Sequence, residues 1–216
     1  MLKSNNQMVS VILLYDKNLY RNKNYDPAAL IYINKKRRVI DYHMSYITKY
    51  IKKREIVICV GYKSNEVVEY ISRKYPNENI RFVENQLHEQ TSSSESVRLA
   101  LNNVNNNNVL LISSATIMNS SNMFIERNQS KIYLLDTTKN NSIGANVGDG
   151  GRVEYMCFGA KYAWTGAMWI NNKTTVSKLK STLANYKSKN RLWFEAINDL
   201  VENNTKISYE IIKRKI

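Results

Sequence analysis

Short apolar runs alternate along this chain with segments whose apolar residues recur at helical spacing, and this alternation constrains the fold most. Val9–Tyr15 is rich in β-branched residues, which is typical of a buried strand. Arg38–Lys53 has the spacing of an amphipathic helix. Glu55–Tyr62 is apolar on both faces, as in the centre of a parallel sheet. The pattern therefore predicts an α/β fold with a mostly parallel, doubly wound sheet and helices on both faces.

The alternation continues to the end of the chain, although it is less regular in the second half. Further strands are predicted at Ile80–Val83, Val109–Ile112, Lys131–Asp136, Arg152–Phe158, Ala163–Ile170 and Lys206–Ile212. Helices are predicted after Ser64 and Ser92 and at Thr175–Lys187 and Asn190–Asn203, with a flexible turn at Asn146–Gly151. No internal repeat or linker divides the 216 residues, so the sequence predicts one Rossmann-like domain over residues 1–216.

The predicted sheet places four loops at one edge. In parallel sheets, ligands bind outside the carboxyl ends of the strands. The loops after Tyr15, Gly61, Val83 and Ile112 are therefore expected to form a common rim.

The net charge of +14 favours polyanionic partners such as nucleic acid. The lysines are dispersed, however, and asparagine is also abundant, so an A/T-rich coding bias accounts for the charge equally well. The densest basic clusters are Lys35–Arg38, Lys52–Arg54 and Lys213–Lys215. They lack interleaved aromatic residues in the sequence, so a platform for stacking single-stranded bases is not predicted.

Membrane association is not expected from the sequence. No apolar run approaches the roughly 20 residues that span a bilayer, and Met1–Met8 is polar and too short for a signal peptide. The expected location is cytoplasmic, or a virion if the protein is phage-encoded. Cys59 and Cys157 lie in apolar runs and are expected to be buried free thiols, while His43 and His88 are expected to be structural or solvated.

Several segments, read in order, resemble a known enzyme family. They are Ile31–Tyr42 (IYINKKRRVIDY), Val57–Tyr62 (VICVGY), Phe82–Asn85 (FVEN), Thr91–Leu101, Trp164–Ile170 (WTGAMWI) and Trp193–Leu200. In this order they resemble the small sugar-phosphate and choline-phosphate nucleotidyltransferases. The resemblance covers most of the chain and implies a nucleotidyltransferase-like, GT-A-like sheet.

The resemblance also implies a site that this sequence supplies only in part. The family holds the triphosphate with a glycine-rich loop and an arginine, but the segment Tyr15–Arg21 contains no glycine and carries Tyr20 at the expected arginine position. Asp16 would place negative charge beside the phosphates. Lys17 and Arg21 are the candidate catalytic cations in this segment, with a surface-loop role as the alternative.

Two further family positions are changed. The lysine of the family's Pro-Lys-x-Leu segment falls on Ala28, and Ser113–Ser114 stand where a metal-binding aspartate is expected. Glu195 and Asp199 are candidate magnesium ligands, four residues apart on one helix face, although such acids are usually solvated. The remaining candidate nucleotide-binding residues are Tyr15, Asp16, Gly61, Thr91, Ser94 and Ser114.

The missing groups favour a catalytically degenerate protein that acts by binding or assembly, with a protein partner or copies of itself and without a cofactor. A pseudoenzyme or a phage structural component would fit this description. One alternative is an active magnesium-dependent nucleotidyltransferase that forms a CDP- or UDP-linked sugar or alcohol. Another is a polyanion- or nucleic-acid-binding module. A helical stripe of Tyr42, Tyr46 and Tyr50 is expected to flank the core, with a subunit interface as its alternative.

Overall fold

The computed structural model describes residues 7–17, 26–114, 116, 129–137 and 142–212. The helices are α1 (Val39–Tyr50), α2 (Ser64–Lys74), α3 (Ser93–Asn102), α4 (Lys173–Ala184) and α5 (Trp193–Glu202), with short 3-10 helices at Ala28–Leu30 and Tyr186–Asn190. The strands are β1 (Val9–Tyr15), β2 (Tyr32–Asn34), β3 (Arg37–Arg38), β4 (Arg54–Val60), β5 (Ile80–Glu84), β6 (Val109–Ser113), β7 (Lys131–Leu135), β8 (Ile143–Gly148), β9 (Arg152–Phe158), β10 (Tyr162–Ile170) and β11 (Ser208–Ile212).

The first half of the chain forms the parallel part of the sheet. β1 lies between β4 and β6, and β4 pairs with β5, all in parallel. The prediction of a parallel α/β core is confirmed here. Helices connect these strands, because parallel neighbours need a long crossover between them.

The second half makes the sheet mixed. The strand order is β5-β4-β1-β6-β10-β7-β11-β9-β8. β10 runs antiparallel to β6, β7 and β8, while β7 and β11 pair in parallel. The α/β class is confirmed, and the antiparallel strands add a second part to a sheet that was expected to be mostly parallel.

The turn predicted at Asn146–Gly151 is wrong in its first part, because residues 146–148 belong to β8 and only residues 149–151 turn. This strand contains small residues and lacks a β-branched run. Its sequence nevertheless suits its position, because a Cβ on Gly144 would lie 2.2 Å from the main-chain oxygen of Tyr162. Close strand packing, rather than propensity, defines this element.

Helices cover both faces of the sheet. α1 and α2 pack on one face with alternate residues of β1, including Val11 and Leu13, whereas α3, α4 and α5 pack on the other face with Ile12 and Leu14. Tyr46 is buried and packs in the first of these cores, as expected for a core-flanking stripe. The two-sided burial of β1 explains its continuous apolar sequence.

Among the described residues, no helix has both the length and the apolar content needed to cross a membrane. Both cysteines are free thiols, as expected. Cys59 is buried in β4 as expected, but the expected burial of Cys157 is wrong, because it is only half-buried in β9.

Candidate functional site

The carboxyl ends of β1, β4 and β6 lie at one edge of the sheet because these strands are parallel. The amino-terminal ends of α3 and α5 reach the same edge, where Ser93 and Trp193 are linked by a main-chain to side-chain hydrogen bond of 3.1 Å. This edge is the rim predicted to carry the ligand site. Its two halves are built differently.

The closed half of the rim consists of Asp16, Lys17, Gly61, His88 and Thr91. The Lys17 ammonium donates hydrogen bonds to the main-chain oxygens of His88 and Thr91. The amide of Tyr62 donates to the main-chain oxygen of Asp16 at 3.0 Å. These bonds tie three separate loops together, so Lys17 is a structural cross-link in this arrangement.

Gly61 is required by the close packing of the closed half. A Cβ at this position would lie 2.6 Å from the main-chain oxygen of Asp16 and 2.8 Å from the Cβ of His88. The glycine therefore allows two loops of the rim to touch.

The Asp16 carboxyl is turned inward, away from solvent. Its residue is 2% exposed, and its Oδ2 atom has no hydrogen-bond partner among the described residues. Burial raises the pKa of Asp16, and a hydrogen bond with Ser96 and the charge of Lys17 oppose this rise. The Lys17 ammonium lies 3.7 Å from Oδ2.

His43 is fully buried and bonds to residues at or after the ends of β1 and β6. Its Nε2 atom is 2.5 Å from the main-chain oxygen of Thr116 and therefore donates, which leaves Nδ1 to accept from the Tyr15 hydroxyl at 2.5 Å. Burial lowers the pKa of His43 to about 4. The imidazole is thus held neutral and joins the ends of β1 and β6, as expected for a structural histidine.

The open half of the rim is an aromatic pocket with a volume of about 310 Å³. Its lining residues are Ser93, Ser113, Ser142, Ile143, Trp164, Thr165, Gly166, Leu192, Trp193 and Phe194. The ring centroids of Trp164 and Trp193 are 4.4 Å apart. Trp193 donates its indole hydrogen to the Ser113 hydroxyl at 3.3 Å, and Trp164 donates to the main-chain oxygen of Ala167 at 3.0 Å.

A bulge in β10 shapes this pocket. The register with β7 shifts between Trp164 and Met168, and Gly166 has a φ of +85°. A Cβ on Gly166 would lie 2.8 Å from the Thr116 hydroxyl, so both its conformation and its packing favour glycine. The bulge brings Trp164 beside the end of β6.

The two candidate magnesium ligands share one arginine. Arg191 binds both oxygens of Asp199, at 2.7 and 3.0 Å, and contacts Glu195 at 3.1 Å. Glu195 also accepts from the amide of Leu192 at 2.8 Å and so caps α5. These acids raise the pKa of Arg191 further above its ordinary range.

A divalent cation does not fit this set of donors. A guanidinium already lies between the two carboxylates and would repel a second cation. The described residues contain no group of three or more histidine, cysteine, aspartate or glutamate side chains that is arranged to hold a metal.

The structure brings only some of the sequence-predicted residues together. Asp16, Lys17, Gly61 and Thr91 meet in the closed half, whereas the Tyr15 hydroxyl binds His43. Ser94 is buried at the start of α3 and its hydroxyl has no partner among the described residues, whereas Ser114 is half-buried in the turn after β6. Arg21 lies outside the described residues, and Ala28 is fully buried.

Sequence reasoning missed the role of Arg191 and the aromatic pocket. The ion pairs of Arg191 could have been predicted, because it precedes Glu195 by four residues and Asp199 by eight, which are helical spacings. The pocket had none, because the bulge that brings Trp164 against Trp193 depends on pairing between distant strands.

No protein-family model matches the chain, and no curated protein matches it by sequence. Solved structures are similar to it. The CTP:phosphocholine cytidylyltransferase from Streptococcus pneumoniae has a TM-score of 0.78 at 19% identity, over 95% of this chain and 90% of that one. The nucleoside-diphosphate-sugar pyrophosphorylase from Vibrio cholerae RC9 has a TM-score of 0.71 at 14% identity, over 95% and 92%.

A third similar structure is the inositol-1-phosphate CTP transferase from T. maritima, with a TM-score of 0.71 at 14% identity, over 95% of this chain and 86% of that one. Identities this low establish a common fold, and an activity does not follow from them. The chain has the α/β fold of the nucleotidyltransferases.

Proposed function

We propose that this protein is a catalytically degenerate binding protein on a nucleotidyltransferase fold. The observation that carries the proposal is the shared ion pair of Arg191 with Glu195 and Asp199. Nucleotidyl transfer requires the triphosphate charge to be neutralised and held in position. The acids that the resemblance assigns to magnesium are instead neutralised by the chain itself.

The end of β6 supports the same proposal. Ser113 and Ser114 offer neutral hydroxyls where the resemblance implies a carboxylate, and the Ser113 hydroxyl already accepts from Trp193. A hydroxyl is a weak substitute for a carboxylate at a hard divalent cation. Magnesium could bind at α5 only if Arg191 released Asp199, and the guanidinium would then lose its bidentate partner.

The aromatic pocket indicates what kind of ligand the protein would bind. Its volume of about 310 Å³ lies at the lower end of the range for small-molecule sites. Indole and phenyl rings line it together with serine and threonine hydroxyls, and its described lining residues carry no charge. This chemistry suits an uncharged planar or apolar group better than a phosphate ester.

A turnover assay tests the proposal directly. The full chain is incubated with magnesium, each of CTP, UTP, ATP and GTP, and phosphocholine or sugar 1-phosphates, and pyrophosphate release is measured. We expect no release above that of a no-protein control. Turnover that is lost in both the Glu195→Gln and the Asp199→Asn variant would establish the alternative, an active magnesium-dependent nucleotidyltransferase.

Thermal shift measurements provide a second test that does not depend on the acceptor. A ligand that binds only the folded state raises the melting temperature by mass action. We expect no shift with magnesium and millimolar nucleoside triphosphate. A shift that persists when Glu195→Gln and Asp199→Asn are combined would indicate nucleotide binding without these acids, which argues against a magnesium-dependent active site and leaves a binding role intact.

A further inference from the structure

A short two-stranded ribbon, Tyr32–Arg38, projects from the domain between the 3-10 helix and α1. β2 and β3 pair only with each other, with Tyr32 opposite Arg38 and Asn34 opposite Arg37. Residues 32–37 are all exposed, and Tyr32 is 55% exposed. We call these seven residues the basic ribbon.

The charges of the basic ribbon are left largely uncompensated. Four consecutive cations, Lys35 to Arg38, form the turn and the second strand of the ribbon. Within the part of the chain that the structure describes, Lys35, Lys36 and Arg37 have no ion pair. The neighbouring carboxylate of Asp41 is 8% exposed and is already bound by Lys74 at 2.8 Å.

Two tyrosine rings flank Arg38, the last cation of the ribbon. The Arg38 guanidinium lies 4.9 Å from the ring centroid of Tyr32 and 4.5 Å from that of Tyr70 on α2. Lys74 lies 5.1 Å from the Tyr70 centroid. The cluster Lys35–Arg38 has no interleaved aromatic residue in the sequence, but the packing of α2 places Tyr70 beside Arg38 in the fold.

We propose that the basic ribbon binds single-stranded nucleic acid. Single-strand sites combine cations that follow the phosphates with aromatic rings on which bases stack, and the ribbon presents both. Tyr32 is held in place by Arg38, whose Nη2 donates to its hydroxyl at 3.3 Å, while more than half of its surface remains in solvent. Base stacking on a preordered ring costs little conformational entropy.

The basic ribbon leads into α1, which packs on one face of the sheet, whereas the acid pair lies on α5, which packs on the other face. Its binding is therefore independent of nucleotidyl transfer. Either proposal can fail in its own assay without affecting the other.

Fluorescence anisotropy tests the proposal with a labelled oligouridine longer than the roughly 16 nucleotides that large single sites cover. The test variant combines Lys35→Ala, Lys36→Ala and Arg37→Ala. The matched control combines Lys52→Ala, Lys53→Ala and Lys173→Ala, which removes the same charge from exposed residues elsewhere. Melting temperatures establish that both variants are folded.

We expect the ribbon variant to bind at least tenfold more weakly than the control. The slope of log affinity against log salt should fall by about 2, because each single-strand phosphate contact contributes about 0.7. Equal weakening in the two triple variants, or no binding by the wild-type protein, would overturn the proposal.

Tyr32→Leu and Tyr32→Phe separate base stacking from charge. We expect Tyr32→Leu to weaken oligouridine binding about tenfold, within the range for a stacked base, while Tyr32→Phe retains it. Heparin carries no bases, so its binding should not respond to either substitution. An unchanged oligouridine affinity in Tyr32→Leu would overturn the single-strand assignment in favour of a general polyanion surface.

Discussion

The two halves of the rim share one sheet edge but differ in what fills them. In the closed half, Lys17 and Gly61 bring loops into contact with one another through main-chain oxygens. In the open half, Trp164 and Trp193 line a pocket, and their indole groups are bound to Ser113 and Ala167. At a sheet edge that is expected to bind ligands, one part can therefore be filled by contacts between its own loops while another part forms a pocket.

The difference follows from how the strands on each side are paired. The closed half is bounded by parallel strands, whose loops return over the edge and meet each other. The open half borders β10, which runs antiparallel to β6 and contains a bulge opposite Thr116. Local twist at a bulge redirects side chains, and here the ring centroid of Trp164 lies 4.4 Å from that of Trp193 on α5.

The largest expected effect comes from forcing the closed half apart. Gly61→Ala would place a methyl group 2.6 Å from the main-chain oxygen of Asp16, which cannot rotate away. We expect the free energy of unfolding to fall by about 3 kcal/mol, as for overpacked cores. Urea denaturation with Gly148→Ala as the control checks this, because the nearest atom there belongs to the flexible side chain of Glu154. Equal losses in the two variants would argue against tight closure.

The second prediction concerns His43, which joins the two halves. Its pKa is lowered from 6.5 to about 4, so its neutral form stabilises the fold at high pH, and this contribution is lost as pH falls through that window. From pH 7 to pH 5, the wild-type protein should lose about 2 kcal/mol more stability than His43→Gln. Glutamine can still donate to Thr116 and accept from Tyr15.

Denaturant unfolding of both proteins at the two pH values measures this difference. Asp16 acts in the opposite direction, because its raised pKa gives stability that is lost as pH rises, but it is common to both proteins. Parallel pH profiles for the wild-type protein and His43→Gln would show that the imidazole is not held neutral by the fold.

The position of the closed half could be predicted from the sequence, but most of the side-chain contacts within it could not. The apolar runs of β1, β4 and β6 fix which loops meet, because their periodicity reflects burial. The inward turn of Asp16 and the contact of Lys17 with two carbonyl groups depend on loop conformations that no periodicity encodes. In the second half, β8 was missed because its glycine and alanine residues serve close packing, which has no propensity signal.

The third prediction concerns Lys17, whose hydrogen bonds link the loops of the closed half and whose charge lies beside Asp16. Lys17→Met removes the donor to His88 and Thr91 and the only cation paired with Asp16 among the described residues. We expect a loss of about 1.5 kcal/mol, since a buried carboxyl loses its partner. Adding Asp16→Asn should recover part of that loss, and a double-mutant cycle measures the coupling. Strictly additive losses would indicate that the ion pair contributes nothing.

The smallest expected effect lies in the open half, where Ser113→Ala removes the acceptor of the Trp193 indole. Trp193 is 3% exposed, so its N–H would be left without a partner in an apolar wall. The cost should be about 1 kcal/mol, because the present bond of 3.3 Å is long and its loss is partly relieved by relaxation into the pocket. Ser114→Ala, one residue further in the turn, is the matched control and should change stability by less than about 0.5 kcal/mol. If Ser113→Ala changed the free energy of unfolding as little as its control, the hydrogen bond to Ser113 would not hold the indole in place. Aromatic packing alone would then determine the shape of the pocket.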